Sequence, residues 1–446
     1  MKKKIGVISL GCPKNLVDTE IMLGILRDNE YEITNKEEEA EIIIINTCGF
    51  IESAKKESIE AILEMAHYKQ DKCRLLIVTG CLAERYREEI IKEIPEVDAI
   101  IGVGNYSEIC DVILEASNGK KVVKYGKLDE IDYLEGERLL TYNKGYAYLK
   151  IAEGCDNRCT YCIIPYLRGH YRSRKMEDLV NEAGKLAKAG VKEIILVAQD
   201  TTRYGTDIYG TKKLAELIRK ISEIGGLEWI RLLYCYPEEI DDELIDEIAG
   251  NPKVCKYLDI PIQHASNDVL RAMGRRGTAE QTEELLHKLK SRIPGLILRT
   301  SLIVGFPGED NKDFEKLFEF VNEFMFDRLG VFIYSKEEGT PAAKIRPQVK
   351  SREARERYKD LMSLQKKITT EKNHARLDKT YKVIVEGVAD DGIFYYGRSY
   401  SEAPEIDGLI YFTSSEPVNI GDFVSVKILN VDDYDLIGDV VDESSK

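Results

Sequence analysis

The stretch Ile151-Ala-Glu-Gly-Cys155-Asp-Asn-Arg-Cys159-Thr-Tyr-Cys162 places three cysteines in a C-x3-C-x2-C spacing directly after an apolar, strand-like run. Three thiolates on one tight loop hold three irons of a 4Fe-4S cube, and the loop has no fourth cysteine for the last iron. A zinc site of paired cysteines needs a second C-x2-C, and a bacterial ferredoxin continues to a fourth Cys followed by Pro. Neither is present in this loop. The competing reading is three buried structural thiols, which this spacing disfavours.

Apolar runs at 148–151, 194–197, 230–233, 257–260, 298–304 and 329–333 surround that loop and alternate with helical patterns. Six strand-helix units predict a partial parallel barrel with its site at the carboxyl mouth. Upstream, runs at 5–10, 42–45, 75–78 and 99–101 alternate with helical patterns near 17–28, 54–67 and 90, the rhythm of a parallel α/β sheet. Cys12, Cys48 and Cys81 each fall just past the carboxyl end of one of these strands. Such ends line one crevice in an open parallel sheet, so the three either converge on a metal or are unrelated strand-end thiols. A polar, charged stretch reads as a linker, and a charged helix is predicted near 351–372. From 381 the period changes to two, with runs at 382–386, 393–396, 409–412, 423–426 and 436–441 punctuated by Gly and Asp. That pattern predicts a five-stranded barrel of oligonucleotide-binding type. The expected fold class is α/β plus all-β. It comprises an N-terminal parallel α/β domain (1–118), a linker (119–144), a partial (βα)6 barrel core (145–373) and a small C-terminal β-barrel (374–446).

With 446 residues, 43% of them hydrophobic and 32% charged, the chain has the mix of a globular protein with more than one core. Its longest apolar runs are strand-sized and far short of a membrane span. The apolar run after the N-terminal lysines is short, ends in Gly11-Cys12-Pro13 and lacks a cleavage site, so a cytoplasmic location is expected. Ten cysteines there read as metal ligands before disulfides. The net charge is −15, and from Arg376 onward fifteen acidic residues face six basic ones, which concentrates the excess in the tail.

Several motifs carry a resemblance that covers the whole chain. They are Ser9-Leu-Gly-Cys12-Pro-Lys-Asn15 with Cys48 and Cys81, the triplet with the aromatic Tyr161 before its last cysteine, and Arg398-Ser-Tyr-Ser-Glu-Ala-Pro-Glu-Ile-Asp-Gly408. The chain resembles the radical S-adenosylmethionine (SAM) methylthiotransferases, and its tail resembles a TRAM domain. Cys-Pro-Lys-Asn stands where the tRNA-modifying relatives are expected to carry a Cys-Gln-Met-Asn-type sequence, so the resemblance is to the branch that modifies a ribosomal protein. It implies that Cys155, Cys159 and Cys162 hold one 4Fe-4S cluster and that Cys12, Cys48 and Cys81 hold a second, each with an open iron. It implies SAM as radical source and methyl donor, and a reduced flavodoxin- or ferredoxin-like electron donor. The implied product is a methylthio group on the β-carbon of an aspartate in the decoding-centre protein of the small ribosomal subunit.

Other candidates are less determined. Tyr161 is placed to contact SAM or simply to pack the loop. Gln199, Ser301 and Gly305 are expected near strand ends at the barrel mouth as SAM contacts, although the glycines of Gly305-Phe-Pro-Gly308 also suit a turn. Gln263 and His264 are equally well explained as a capping turn. Arg168 and Arg174 are candidates for a carboxylate of SAM or of the substrate, because guanidinium forks suit carboxylates; a solvated basic loop is the alternative. Cys73, Cys110, Cys235 and Cys255 have no argued role. An acidic tail would repel tRNA and suit a basic ribosomal protein. Two rivals remain at this level: a tRNA adenosine methylthiotransferase, and a non-catalytic ribosome-binding iron-sulfur protein.

Overall fold

Ile42, Ile43, Ile44 and Ile45 are all buried, and they alternate between two separate apolar clusters. A strand buried on both faces belongs to a parallel sheet covered by helices on each side. In the computed structural model, which describes residues 2–126, 128–142 and 145–441, that strand lies at the centre of a six-stranded sheet. Residues 127, 143 and 144 of the expected linker, and 442–446 of the expected C-terminal domain, lie outside the described residues.

The sheet contains β1 (Lys4–Ser9), β2 (Glu32–Thr34), β3 (Ile42–Thr47), β4 (Leu75–Gly80), β5 (Ala99–Ile101) and β6 (Val122–Lys124), ordered β2-β1-β3-β4-β5-β6 and parallel throughout. Helices α1 (Pro13–Asp28), α2 (Glu52–Ala66), α3 (Cys81–Tyr86), α4 (Glu88–Glu93) and α5 (Ile109–Ser117) connect the strands. Pro13 opens α1 at a position where its missing N–H is not needed. β1, β3, β4 and the three-residue β5 match the sequence reading, whereas β2 and β6, also three residues each, have no periodicity to reveal them.

The stretch 119–144 is not a free linker in its described part. It supplies β6, and it buries Tyr133 and Leu134. Arg138 pairs with Glu20 of α1, and the Leu139 N–H donates to the Glu20 carbonyl at 3.0 Å. Its charges read as solvated in sequence because their partners lie more than a hundred residues away.

The next strand, β7 (Tyr146–Lys150), opens a second sheet. A short antiparallel pair, β8 (Ala152–Glu153) with β9 (Arg172–Ser173), frames the triplet loop and helix α6 (Ile164–Arg168). The second sheet continues with β10 (Glu193–Val197), β11 (Trp229–Leu232), β12 (Val254–Asp259), β13 (Ile297–Val304) and β14 (Arg328–Ile333). Its order, β14-β13-β12-β11-β10-β7, is sequential and parallel, an open sheet of the kind that six strand-helix units predict. Helices 279–292 and 311–324 start on capping boxes, Thr278 with Gln281 and Asp310 with Asp313, which fix where each begins. Helix Ser351–His374 follows.

The tail forms a closed barrel of β15 (Thr380–Val388), β16 (Tyr395–Arg398), β17 (Ile410–Thr413), β18 (Phe423–Asp432) and β19 (Asp435–Val440), ordered β15-β16-β17-β19-β18. Val383, Val385, Ile410, Phe412, Val426, Ile428 and Leu436 fill it.

The chain divides into two compact units. The first contains residues 1–141, 152–174 and 335–343, and the second contains 142–151, 175–334 and 344–446. The triplet loop therefore belongs to the unit of the N-terminal sheet, and the tail barrel to the unit of the second sheet.

Glu402 illustrates how the second unit is held. Its carboxylate accepts from Arg376, from Arg328 at 3.1 Å, and from the Ser399 N–H and hydroxyl at 3.0 and 2.6 Å. Burial works to raise its pKa, but Arg376 and Arg328 overcome it and hold the group at about 2. A folded pKa below the unfolded value of about 4.3 contributes stability that is complete above the unfolded pKa and is lost as pH falls through the folded one. Urea unfolding is therefore expected to show about 3 kcal/mol of Glu402-dependent stability at pH 7. Comparison with Glu402→Gln checks this, and the difference should shrink progressively below about pH 4.

Candidate functional site: two cysteine sets in one unit

Strands β1, β3 and β4 are adjacent in the N-terminal sheet, and a cysteine lies just past the carboxyl end of each: Cys12, Cys48 and Cys81. Gly11 lets the first two approach. Its φ is +90°, and a Cβ there would lie 2.8 Å from Cys48 Cβ and 3.1 Å from Cys48 Sγ. Gly11→Ala is expected to cost about 2 kcal/mol or more in the metal-free chain, from left-handed strain plus the displaced Cys48; thermal unfolding would measure it.

Cys48 and Cys81 each feel neighbouring thiols of the set electrostatically. Burial, reinforced by Cys81 and Cys12, pushes Cys48 up to about 12. Cys81 is also raised, first by burial and next by its neighbour Cys12, against the pull of Arg168. Burial acts on Cys12 as well, but Lys14, Arg168 and nearby backbone N–H groups outweigh it and lower its pKa. Among the described residues no three Cys, His, Asp or Glu side chains stand in a closed metal-ligand arrangement. The sulfurs instead oppose each other's ionisation, and a cationic iron site that takes thiolates relieves that opposition. The donor set thus fits an iron-sulfur cluster chemically.

The triplet loop is held on several sides within the same unit. The Cys155 N–H donates to the Gly169 carbonyl at 3.1 Å, the Cys162 N–H to the Cys159 carbonyl at 3.0 Å, and the Ala342 N–H to the Thr160 carbonyl at 2.9 Å. The segment carrying Ala342 is anchored by Glu337, which pairs with Lys55 and Arg85 at 3.0 and 2.8 Å. Burial raises the Cys162 pKa, and Cys159 and Cys155 add to it. That again fits a set of thiolates compensated by iron. Tyr161 is half-buried in this loop.

Arg168 and Arg174 are not placed as the sequence suggested. Arg168 is 1% exposed, and its partners are the protein's own: Nη1 donates to Asp18 Oδ2 at 2.7 Å and Glu153 Oε2 at 2.9 Å, and Nη2 to Asn15 Oδ1 at 2.6 Å. Nε donates to Cys81 Sγ at 3.3 Å. Arg174 is 2% exposed and forms a two-pronged pair with Glu135, at 2.8 Å in both contacts. The forks do bind carboxylates, but internal ones, and neither is a solvated loop residue. Asn15, Asp18 and Glu153 were missed; Asn15 and Asp18 sit three apart on α1, a spacing that shares a helix face and was the available signal.

In the second unit, Gln199 lies just past the end of β10. Ser301 lies within β13, not at its end, on the half-buried face shared with Ile297, Arg299 and Ile303; Leu298, Thr300, Leu302 and Val304 are buried on the other. Arg299 on that face pairs with Asp259 at 2.6 Å, so the face is polar. Gly305 follows β13 at φ +73°, and a Cβ there would sit 2.5 Å from Ala354 Cβ, which is a packing requirement in its own right. His264 Nδ1 accepts from the Ser266 N–H at 3.0 Å, as a capping turn would have it. Cys73, Cys235 and Cys255 are buried.

Three family models match the chain: Uncharacterized protein family UPF0004 over residues 4–102, the Radical SAM superfamily over 149–321 and the TRAM domain over 379–441. The chain is 63% identical over 453 residues to the ribosomal protein uS12 methylthiotransferase RimO of Acetivibrio thermocellus, covering 100% of both. It is 52% identical over 442 residues to the protein of that name from Desulforamulus reducens, covering 98% of this chain and 99% of that one. Among solved structures, the radical S-adenosylmethionine methyltransferase TsrM from Kitasatospora setae matches with a TM-score of 0.57 at 15% identity over 77% of each chain, a likeness of fold. Sheet, cysteine triplet and barrel thus define a radical SAM methylthiotransferase. Within that class the chain belongs to the family of ribosomal protein uS12 methylthiotransferases, RimO.

Proposed function

We propose that this chain methylthiolates ribosomal protein uS12 on the β-carbon of an aspartate, using SAM and two 4Fe-4S clusters. The observation that carries the reading is the adjacency of Cys12, Cys48 and Cys81 at three neighbouring strand ends, in the compact unit that also contains the triplet loop. Cys155, Cys159 and Cys162 would hold one cluster, and Cys12, Cys48 and Cys81 the other. With SAM bound, these groups supply the hydrogen abstraction from unactivated carbon and the sulfur donation that no side chain provides.

The chain's own residues supply placement. Tyr161 in the first unit, and Gln199, Ser301 and Gly305 in the second, are the proposed SAM contacts. Residues 1–118 carry the sulfur-donating site in this reading, 145–373 the radical-generating core and 374–446 the part that recruits substrate. A small reduced flavodoxin- or ferredoxin-like protein would deliver electrons, and the reaction is assigned to the cytoplasm. No helix among the described residues is long and apolar enough to cross a membrane.

The tail barrel supports a basic protein substrate over tRNA. Asp378, Asp390, Asp391, Glu405, Glu416, Asp422, Asp432, Asp433 and Asp439 are exposed on it, whereas Lys379 and Lys382 are its exposed basic residues among those described. Lys382 is already paired with Glu228 at 2.9 Å. Such a surface attracts a cationic protein at low salt and repels phosphate backbones. The test offers purified uS12 and bulk tRNA separately to the anaerobically reconstituted chain with SAM and reductant, followed by mass spectrometry. A methylthio mass shift on a uS12 aspartate is expected. A shift on tRNA, or on another uS12 residue, would overturn the assignment.

A further inference from the structure

We propose that Arg168 is a positioning residue that fixes the Cys12–Cys48–Cys81 site against the triplet loop and sets the reduction potential of the cluster held there. The inference rests on the second cluster proposed above, and it concerns a residue that lies in neither cysteine set.

Arg168 is the last residue of α6, a five-residue helix that begins two residues after Cys162. Ile163 and Leu167, on this segment, form one buried apolar cluster with Cys81, and Phe50 packs against it. The distance in chain from a triplet ligand to a group touching the second set is therefore six residues, all in a tightly packed segment. Any shift of α6 moves the guanidinium relative to Cys81.

The guanidinium itself is over-determined. Nη1 is fixed between Asp18 and Glu153, and Nη2 by Asn15, so Nε has its N–H directed at Cys81 Sγ. The Tyr133 hydroxyl lies within hydrogen-bond reach of both carboxylates, 3.3 Å from Asp18 and 3.2 Å from Glu153, and so completes the network from a third segment. Asn15 is in turn tied to the strand ends, its Nδ2 donating to the Leu10 carbonyl at 2.9 Å and the Thr47 carbonyl at 3.0 Å. These carbonyls are two residues before Cys12 and one before Cys48. One planar fork thus contacts the backbone neighbourhood of all three cysteines of the set through at most one intermediary. A lysine cannot reproduce this, because it is a point charge without a rigid fork.

An N–H directed at a ligating sulfur and a fixed positive charge both favour the reduced, more negative cluster; nearby carboxylates do the opposite. At Cys81 the Arg168 charge works against Cys12 and Glu153, and Asp18 shares the Arg168 guanidinium with Glu153. Removing the arginine outright would strip the compensating positive charge from two buried carboxylates and endanger folding. The informative variants are therefore Arg168→Lys, which keeps the charge and loses the Nε donor, and Asp18→Asn, which keeps an acceptor and removes a negative charge.

Both are made in the full chain carrying Cys155→Ala, Cys159→Ala and Cys162→Ala, so that only the second cluster is present. Reconstituted anaerobically, the parent is titrated potentiometrically and read by electron paramagnetic resonance. Arg168→Lys is expected to lower the midpoint and Asp18→Asn to raise it. Each shift should be about tenfold in the reduced-to-oxidised ratio at fixed potential, about 59 mV for one electron. A role confined to packing would not give shifts of opposite sign. Equal midpoints in all three proteins, with iron bound, would overturn the inference alone. A parent that binds no iron would overturn the second-cluster reading and the inference with it.

Discussion

Replacing Cys12, Cys48 or Cys81 by Ala is expected to leave reductive SAM cleavage intact while methylthio product falls to background. The same change at Cys155, Cys159 or Cys162 should abolish both. The two cysteine sets lie on different chain segments. The triplet lies on a single loop whose backbone is held by Gly169 and Ala342, whereas the other three cysteines lie just past the ends of β1, β3 and β4. Losing a cysteine from the Cys12, Cys48 and Cys81 set removes one of its three thiolates, so about half the iron should be lost with it. Assays of 5'-deoxyadenosine and of modified uS12, run on the same preparations, separate the two activities. Methylthio product from the Cys12, Cys48 or Cys81 variants would contradict the division of labour.

The second large effect concerns stability. Glu193 is fully buried on β10 and lies between two fully buried guanidinia, Arg231 Nε at 2.6 Å and Arg398 Nη2 at 2.7 Å. Arg398 also holds Glu386 and the Glu402 carbonyl, and Arg231 holds the Tyr400 carbonyl at 2.8 Å. This network ties the tail barrel to the second sheet inside one unit. Burial would push the Glu193 carboxyl up, but the two arginines bring it below its ordinary value. Glu193→Ala strips a charge from between two others that water cannot reach, which costs about 3–5 kcal/mol. Urea midpoints of the metal-free chain should fall accordingly, with an unchanged slope if the transition stays two-state. A loss below about 1 kcal/mol would mean that the two arginines find other partners, as exposed pairs do.

Much of the architecture was legible because its signals are periodic. The run 42–45 is apolar without alternation and proved to be buried on both faces. The tail's runs alternate and proved to close on themselves. Cys12, Cys48 and Cys81 could be placed at strand ends because the strands themselves were clear. Arg168 could not be read in the same way. Its proximity to the triplet is visible in sequence, but its partner Asp18 lies 150 residues away on α1, and only the folded unit brings them together. The fork was recognised as a carboxylate binder, and the carboxylates proved to be internal. The segment 119–144 misled for a related reason: polar composition signals a loop, yet Leu134 is buried, and Tyr133 and Arg138 meet Asp18 and Glu20 of α1. Ser301 was expected near a strand end, yet the run 298–304 that contains it is strand throughout, so it lies in the middle of β13.

The central claim is that one compact unit carries two cluster sites built from six cysteines. The most direct measurement is the iron and labile-sulfide content of the anaerobically reconstituted wild-type chain, with the iron speciated by Mössbauer spectroscopy. The account predicts about eight irons per chain, all in 4Fe-4S clusters of four. A saturated content of about four, in a single 4Fe-4S cluster, would contradict it.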